Sequence, residues 1–173
     1  MALSWTQSGS NYTISGSYAP VTLTKSGTNW TNYCYTADTL STFDATNIVA
    51  SNPNTAVGVT DSAQLQSGDK DESSVRYGFY RKGGPEWRVV VNGSGITSTD
   101  TSGTTAKMTF DGTDVKFYVD DSLIHTHTAT VTSGLYGYAS VYDGGEDVTI
   151  QLQAQASGTA AVFIPPPYVV HHI

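Results

Sequence analysis

Between Asp111 and Thr128 the chain reads D-G-T-D-V-K-F-Y-V-D-D-S-L-I-H-T-H-T, two alternating runs either side of an Asp-Asp-Ser turn. Val115, Phe117 and Val119 fall on one face of an extended strand, and Lys116, Tyr118 and Asp120 on the other. A two-stranded ribbon of this kind is stable only when its apolar face is covered, so the stretch commits the chain to a layered β structure. Strict alternation through the second strand places Leu123, His125 and His127 on one face, with Ile124, Thr126 and Thr128 opposite.

The same period recurs along the chain. Strands are expected at 21–25, 30–36, 41–49, 55–60, 75–81, 86–91, 105–110, 114–119, 122–127, 135–142 and 147–153, most of them rich in Val, Thr, Tyr and Phe. No window carries a helical period. Asn92-Gly93 and Asp111-Gly112 are hairpin signals, because a type I′ turn needs positive φ at both central residues. Residues 61–74 are polar and aperiodic and read as a long loop. Regular short strands between turn residues imply an all-β, two-sheet antiparallel sandwich.

Composition decides what such a sandwich is not. Only 13% of the 173 residues are charged and 38% are hydrophobic, a balance that by itself borders on disorder; the 11% aromatic content and the strand spacing argue for a packed core. The net charge of −7 repels phosphate backbones, so nucleic acid is an unfavoured partner. No apolar run is long enough for a membrane-spanning helix, and Met-Ala-Leu-Ser-Trp-Thr does not read as a signal peptide. The expectation is synthesis and folding in a cytoplasm. Cys34 is the sole cysteine, which excludes an internal disulfide; its setting, Asn-Tyr-Cys-Tyr-Thr, reads as strand with a small buried thiol.

The C-terminus departs from the pattern. Residues 158–173 carry Phe163, Ile164, Pro165, Pro166, Pro167 and Tyr168, an extended apolar stretch that cannot pair as a central strand. The division expected is a sandwich domain at 1–157 and an extended arm at 158–173. An arm of this composition is costly to leave in water, so it is expected to lie on its own domain or on a neighbouring subunit. Pro-Pro-Pro-Tyr also matches a WW-domain ligand, and sequons stand at Asn11, Asn29 and Asn92; neither carries weight without a eukaryotic or secretory setting.

From Lys107 to Leu152 the chain runs through M-T-F-D-G-T-D-V-K-F-Y-V-D-D-S-L-I-H-T and then L-Y-G-Y-A-S-V-Y-D-G-G-E-D-V-T-I. This succession of strand, turn, strand ending in Tyr-x-Asp-Asp, short Leu-bearing strand and Tyr-rich strand resembles the concanavalin A-like lectin and glucanase jelly roll. SPRY-type domains share the arrangement. Upstream, TLTKSGTNW and AVGVTDS are similar to lectin-like modules of phage virion proteins and bacterial surface proteins. The resemblance covers about residues 3–153. It implies a jelly roll of two packed antiparallel sheets, one of them curved, with a concave face that often binds sugar.

Chemistry is weighed against that frame. Glycosidases need two carboxylates set at fixed separation about the scissile bond. Glu72, Glu86 and Glu146 are the three glutamates, and none stands in the alternating acidic motif of the resembling enzymes. Gly-x-Ser-x-Gly is absent and Cys34 has no suggestively placed histidine, so an enzyme is not expected. His125 and His127 could chelate together but lack a visible third ligand. The acidic stretches at Asp69–Glu72, Asp120-Asp121 and Asp143–Asp147 suit turns, and the Asp-x-Phe/Tyr-x-Asn metal pattern of legume-type lectins is missing; no metal and no cofactor are expected.

Sugar recognition would use an exposed ring, and the candidates are Trp30, Tyr77, Tyr80, Trp87, Tyr118, Tyr136, Tyr138 and Tyr142. Tyr80, Trp87 and Tyr142 are the preferred three, since Tyr80 and Trp87 flank the polar hairpin at 81–85. The expectation is a non-catalytic virion protein, a decoration or fibre component of a tailed phage. Its arm, Phe163 to Tyr168, would bind neighbouring virion subunits in a homo-oligomeric assembly. The alternative is an adhesin or carbohydrate-binding module for a host-surface glycan.

Overall fold

The computed structural model describes residues 4–15, 21–30, 32–37, 39–50, 54–65, 71–81, 84–144 and 147–156. In chain order its strands are β1 (Trp5–Gln7), β2 (Tyr12–Ser15), β3 (Val21–Lys25), β4 (Cys34–Thr36), β5 (Leu40–Ala50), β6 (Thr55–Thr60) and β7 (Tyr77–Arg81). They continue with β8 (Glu86–Val91), β9 (Ser94–Ser102), β10 (Ala106–Phe110), β11 (Asp114–Val119), β12 (Ser122–Thr128), β13 (Tyr136–Val141) and β14 (Asp147–Ala156). Among the described residues they form two antiparallel seven-stranded sheets, in the orders β1-β4-β13-β6-β7-β8-β9 and β12-β11-β10-β5-β14-β3-β2. The sandwich read from the alternation is therefore the fold. The arm at 158–173, with Phe163 to Tyr168, lies outside the described residues.

The turns show where local chemistry decides. Asn92 and Gly93 have φ of 51° and 73°, and Val91 pairs Ser94, the two-residue turn expected there. Asp120 and Asp121 do the same, at 44° and 62°, between paired Val119 and Ser122. Asp111-Gly112 differs. Phe110 pairs Val115, so the turn takes in 111–114, and the Asp111 carboxylate accepts from the amides of Thr113 and Asp114, both at 2.9 Å. The described residues of the segment 61–74 contain a turn at 62–64 and a 3-10 turn at Glu72–Ser74, capped by the Asp71 carboxylate on the Ser73 amide.

One expectation about β12 is overturned. Phe117 pairs His125 while Tyr118 pairs Leu123, so Ile124 is an extra residue in the strand. Such a bulge reverses the alternation beyond it. Leu123 therefore shares the outer face with Tyr118 and is 55% exposed, while His125 and His127 turn inward against Phe117 and Tyr77.

The core lies between the sheets. Val57, Val59, Tyr77, Phe79, Trp87, Val89, Ala139 and Val141 face Leu23, Phe43, Ile48, Met108, Phe117 and Val148. Trp87 is 0% exposed, edge-on to Phe79 at 5.9 Å and beneath the Arg81 guanidinium at 5.1 Å. A ring enclosed in this way has no face to offer a sugar, so the reading of Trp87 as a binding platform is corrected. The polar hairpin beside it led the reading astray, because β8 turns Glu86 and Arg88, not Trp87, away from the core.

The first sheet also has a second, smaller core on its outer side. Ala56, Val75, Tyr80, Val90 and Tyr138 are buried there under Trp30, Tyr33 and Leu65. Glycine makes room for part of this cover. Tyr138, Gly58, Gly78 and Val90 stand in one cross-strand row, and a Cβ on Gly78 would lie 2.2 Å from the Val57 carbonyl oxygen and 2.8 Å from the Val75 side chain. Val75 therefore lies down on bare backbone.

The remaining cover is residues 26–30 and 32–33, held from below by Lys25. The Lys25 ammonium donates to the backbone carbonyl and, at 3.1 Å, to the side-chain oxygen of Asn29, and it sits 5.3 Å from the centre of the Tyr12 ring. Lys25 is 1% exposed; burial lowers its pKa from 10.5 to about 8, partly opposed by the nearby Cys34 thiol. Burial pushes Cys34 up from 9.0 to about 12.

Two outcomes follow from this packing. Trp87→Ala should cost about 3–5 kcal/mol in urea unfolding, the usual loss for a fully buried large aromatic; a loss near zero would contradict the enclosed ring. Between pH 8 and 9 the unfolded chain still holds the Lys25 proton that the folded chain releases, so stability should rise with pH. Cys34 opposes this only above pH 9, where its unfolded thiol ionises first. The rise should be absent from Lys25→Met, and parallel profiles for the two proteins would refute the assignment.

Candidate functional site

β13 is two-faced. Ala139 and Val141 point into the core, so Tyr136, Tyr138, Ser140 and, just past the strand end, Tyr142 point outward at every second position. Tyr138 is fully buried, and burial raises its hydroxyl pKa well above the ordinary value. What buries it is aromatic: Tyr33 stacks over Tyr138 at 5.7 Å with the rings 29° apart, and Tyr35 lies 5.5 Å from Tyr33. Tyr33 and Tyr35 reach this face because Cys34 between them points into the core.

Beside these rings is a cavity of about 340 Å³, lined by Tyr33, Tyr35, Tyr136, Leu65, Asp61 and Ser62. Tyr33, Tyr35 and Tyr136 are each half-buried, with part of the ring surface open. The Asp61 carboxylate is occupied. It accepts from the amides of Ala63 and Gln64, each at 2.8 Å, and from Arg76 Nε at 2.7 Å and Nη2 at 3.2 Å. Burial opposes its charge, but the Arg76 and backbone hydrogen bonds outweigh that and keep its pKa below the ordinary carboxylate value. Asp61 thus builds the wall by tying the 62–64 turn to Arg76. The other polar side chains of the lining, Thr60, Ser62 and the three tyrosines, carry hydroxyls.

At the opposite end of β13, Trp30 joins two expected site residues. Its ring lies 5.4 Å from Tyr142 and 6.4 Å from Tyr80. Tyr80, 9% exposed, forms the floor, and Trp30 and Tyr142 keep open surface. Burial raises the Tyr80 pKa, with smaller contributions from Glu72 and Asp71 and an opposing one from Arg88. Arg88 itself is in a two-pronged pair with Asp100, at 2.6 and 2.5 Å. Of the three preferred residues, Tyr80 and Tyr142 come together and Trp87 lies on the far side of the sheet. Tyr33, Tyr35, Thr60, Ser62 and Leu65 were not singled out from sequence, although the alternation of Tyr33 and Tyr35 about a buried cysteine is the signal that marks them.

Other candidates scatter. His125 and His127 stand on the second sheet, against Phe117 and Tyr77. The Asp120 carboxylate is taken by the Thr104 and Thr105 amides and the Thr105 hydroxyl, and Asn54 donates to Asp143. Among the described residues no three His, Cys, Asp or Glu side chains group as metal ligands. Glu86 is exposed at the start of β8 opposite Ser102, and Asp69 and Glu146 lie outside the described residues.

No protein-family model and no curated protein matches the chain. Solved structures do. The PSpry domain of TRIM65 superposes with a TM-score of 0.63 at 13% identity, over 87% of this chain and 89% of that one. The exoplasmic/lumenal domain of VIP36, in a form bound to Ca2+ and Man3GlcNAc, gives 0.54 at 11% identity, over 91% and 86%. Carbohydrate-binding module CBM66 from Bacillus subtilis gives 0.50 at 12% identity, over 87% and 95%. At these identities the likeness is one of fold, and the fold is the concanavalin A-like, lectin-type jelly roll.

Proposed function

We propose that the chain is a non-catalytic glycan-binding module that holds sugar against the outer, aromatic face of β13. The observation that carries this reading is the cavity walled by the partly open rings of Tyr33, Tyr35 and Tyr136, with hydroxyl groups beside them. A pyranose offers an apolar C–H face and a rim of hydroxyls, which suits a pocket of aromatic surface with a few polar groups. The fold is in keeping with the reading, since CBM66 is named a carbohydrate-binding module and VIP36 is described with a bound mannose-containing glycan. Binding without hydrolysis is proposed because the carboxylate beside the cavity, Asp61, is engaged by Arg76 and two amides.

The expectation of a virion home, with partner subunits gripped by Phe163 to Tyr168, is the finer part of the reading and rests on the sequence of the arm. A surface-displayed adhesin would use the same face.

A glycan array probed with the intact chain, with calcium and with chelator, tests the proposal. Saturable binding to one glycan class is expected. Tyr35→Ala and Tyr136→Ala should each weaken it about tenfold, the worth of one well-stacked ring, with the unfolding midpoint little changed. A blank array from folded protein would overturn the reading.

A further inference from the structure

Resting on that reading, we infer that the ligand is an internal stretch of a linear oligosaccharide, several sugars long, laid along β13 and held at both ends. The two clusters of open aromatic surface lie at opposite ends of one strand. Tyr136 and Tyr142 are six positions apart, which at about 3.3 Å per residue separates them by roughly 20 Å. One sugar ring covers one of these places and leaves the other wet.

The segment between the two places is built to stay flat on the strand. The Asn29 amide donates to the Tyr142 carbonyl at 2.9 Å, the Ser140 hydroxyl donates to the Asn32 carbonyl at 3.1 Å, and Tyr33 stacks on Tyr138. Residues 29–30 and 32–35 therefore follow β13 from one end toward the other and bring Trp30 to the first place and Tyr33 and Tyr35 to the second. Lys25 fixes the Trp30 end through Asn29. The pattern along the track is ring, polar backbone, ring. That spacing rewards a chain able to stack at each end, because the second contact is intramolecular once the first is made.

The Trp30–Tyr142 place has its own polar groups. Asn54 donates to Asp143 at 3.4 Å next to Tyr142, and Arg88, paired with Asp100, stands opposite Tyr80 on the neighbouring strand. Both places can therefore meet hydroxyls as well as ring faces.

The test is calorimetric titration of the full chain with length series, monosaccharide to hexasaccharide, of β-1,4-glucan, mannan, chitin and levan. In the series that binds, affinity should rise about tenfold or more from the shortest to the longest ligand. Trp30→Ala and Tyr35→Ala should each flatten that rise. Tyr142→Ser, whose ring is at the margin, serves the same purpose should Trp30→Ala lose its fold. Affinity independent of length, or unchanged by both Trp30→Ala and Tyr142→Ser, overturns the inference and leaves glycan binding at the Tyr33–Tyr35 cavity standing. Failure of every length to bind overturns the glycan reading itself, and this inference with it.

Discussion

Phe79 of one sheet meets Phe117 of the other edge to face, with ring centres 5.5 Å apart and planes at 83°. Around that contact the inner faces of both sheets close, Trp87 on one flank and Val115 and Val119 on the other. Everything else in the molecule is arranged by which side of its strand a residue falls on relative to this contact. Tyr77, Phe79, Val57, Val59 and Ala139 go in; Tyr80, Ala56 and Tyr138 go out. The hydrophobic effect supplies the energy, and the two-residue period of the strand supplies the address.

The outward set is unusual for a sheet face turned away from the main core. It is aromatic and small at once: Tyr35, Tyr138, Gly58, Gly78 and Val90 stand in a continuous row. Two loop segments settle on it, one bringing Val75 and Leu65 and the other Trp30 and Tyr33. Between them the cavity remains. Holding the second segment takes a buried lysine that has no carboxylate partner among the described residues and is satisfied by the oxygens of Asn29 and by the Tyr12 ring. A charge placed there is a cost to folding, and what it secures is the position of Trp30. That is the arrangement expected where stability is given up to orient a binding surface.

Much of this was legible in the residues. Alternation in VTLTK, TAVGVT and DVKFYV marks β3, β6 and β11 with their bounds, because one face of each enters the core between the sheets and pins the register. β1, β2 and β9 carried no such signal. β9, Ser94–Ser102, has Ile96 as its one large apolar side chain; it lies at a sheet edge, where pairing with β8 rather than burial makes it a strand. The bulge at Ile124 was also invisible, since Leu-Ile-His-Thr-His fits either alternation until the pairing with β11 is known. At the site, Tyr80 and Tyr142 were named and Trp87 was misplaced. Strand period told which residues share a face, but not which of the two faces the second sheet would cover.

The central claim is that the outer face of β13, from Tyr136 to Tyr142 with the overlying residues 29–30 and 32–35, is where ligand binds. Amide chemical-shift mapping during titration with the glycan class selected on the array tests it most directly. The account requires the largest shifts at residues 29–37, 60–65 and 136–143, with β10, β11 and β12 on the other sheet unmoved. Shifts centred on the second sheet or on the 111–114 and 120–121 turns, with residues 29–37 and 136–143 silent, would contradict it.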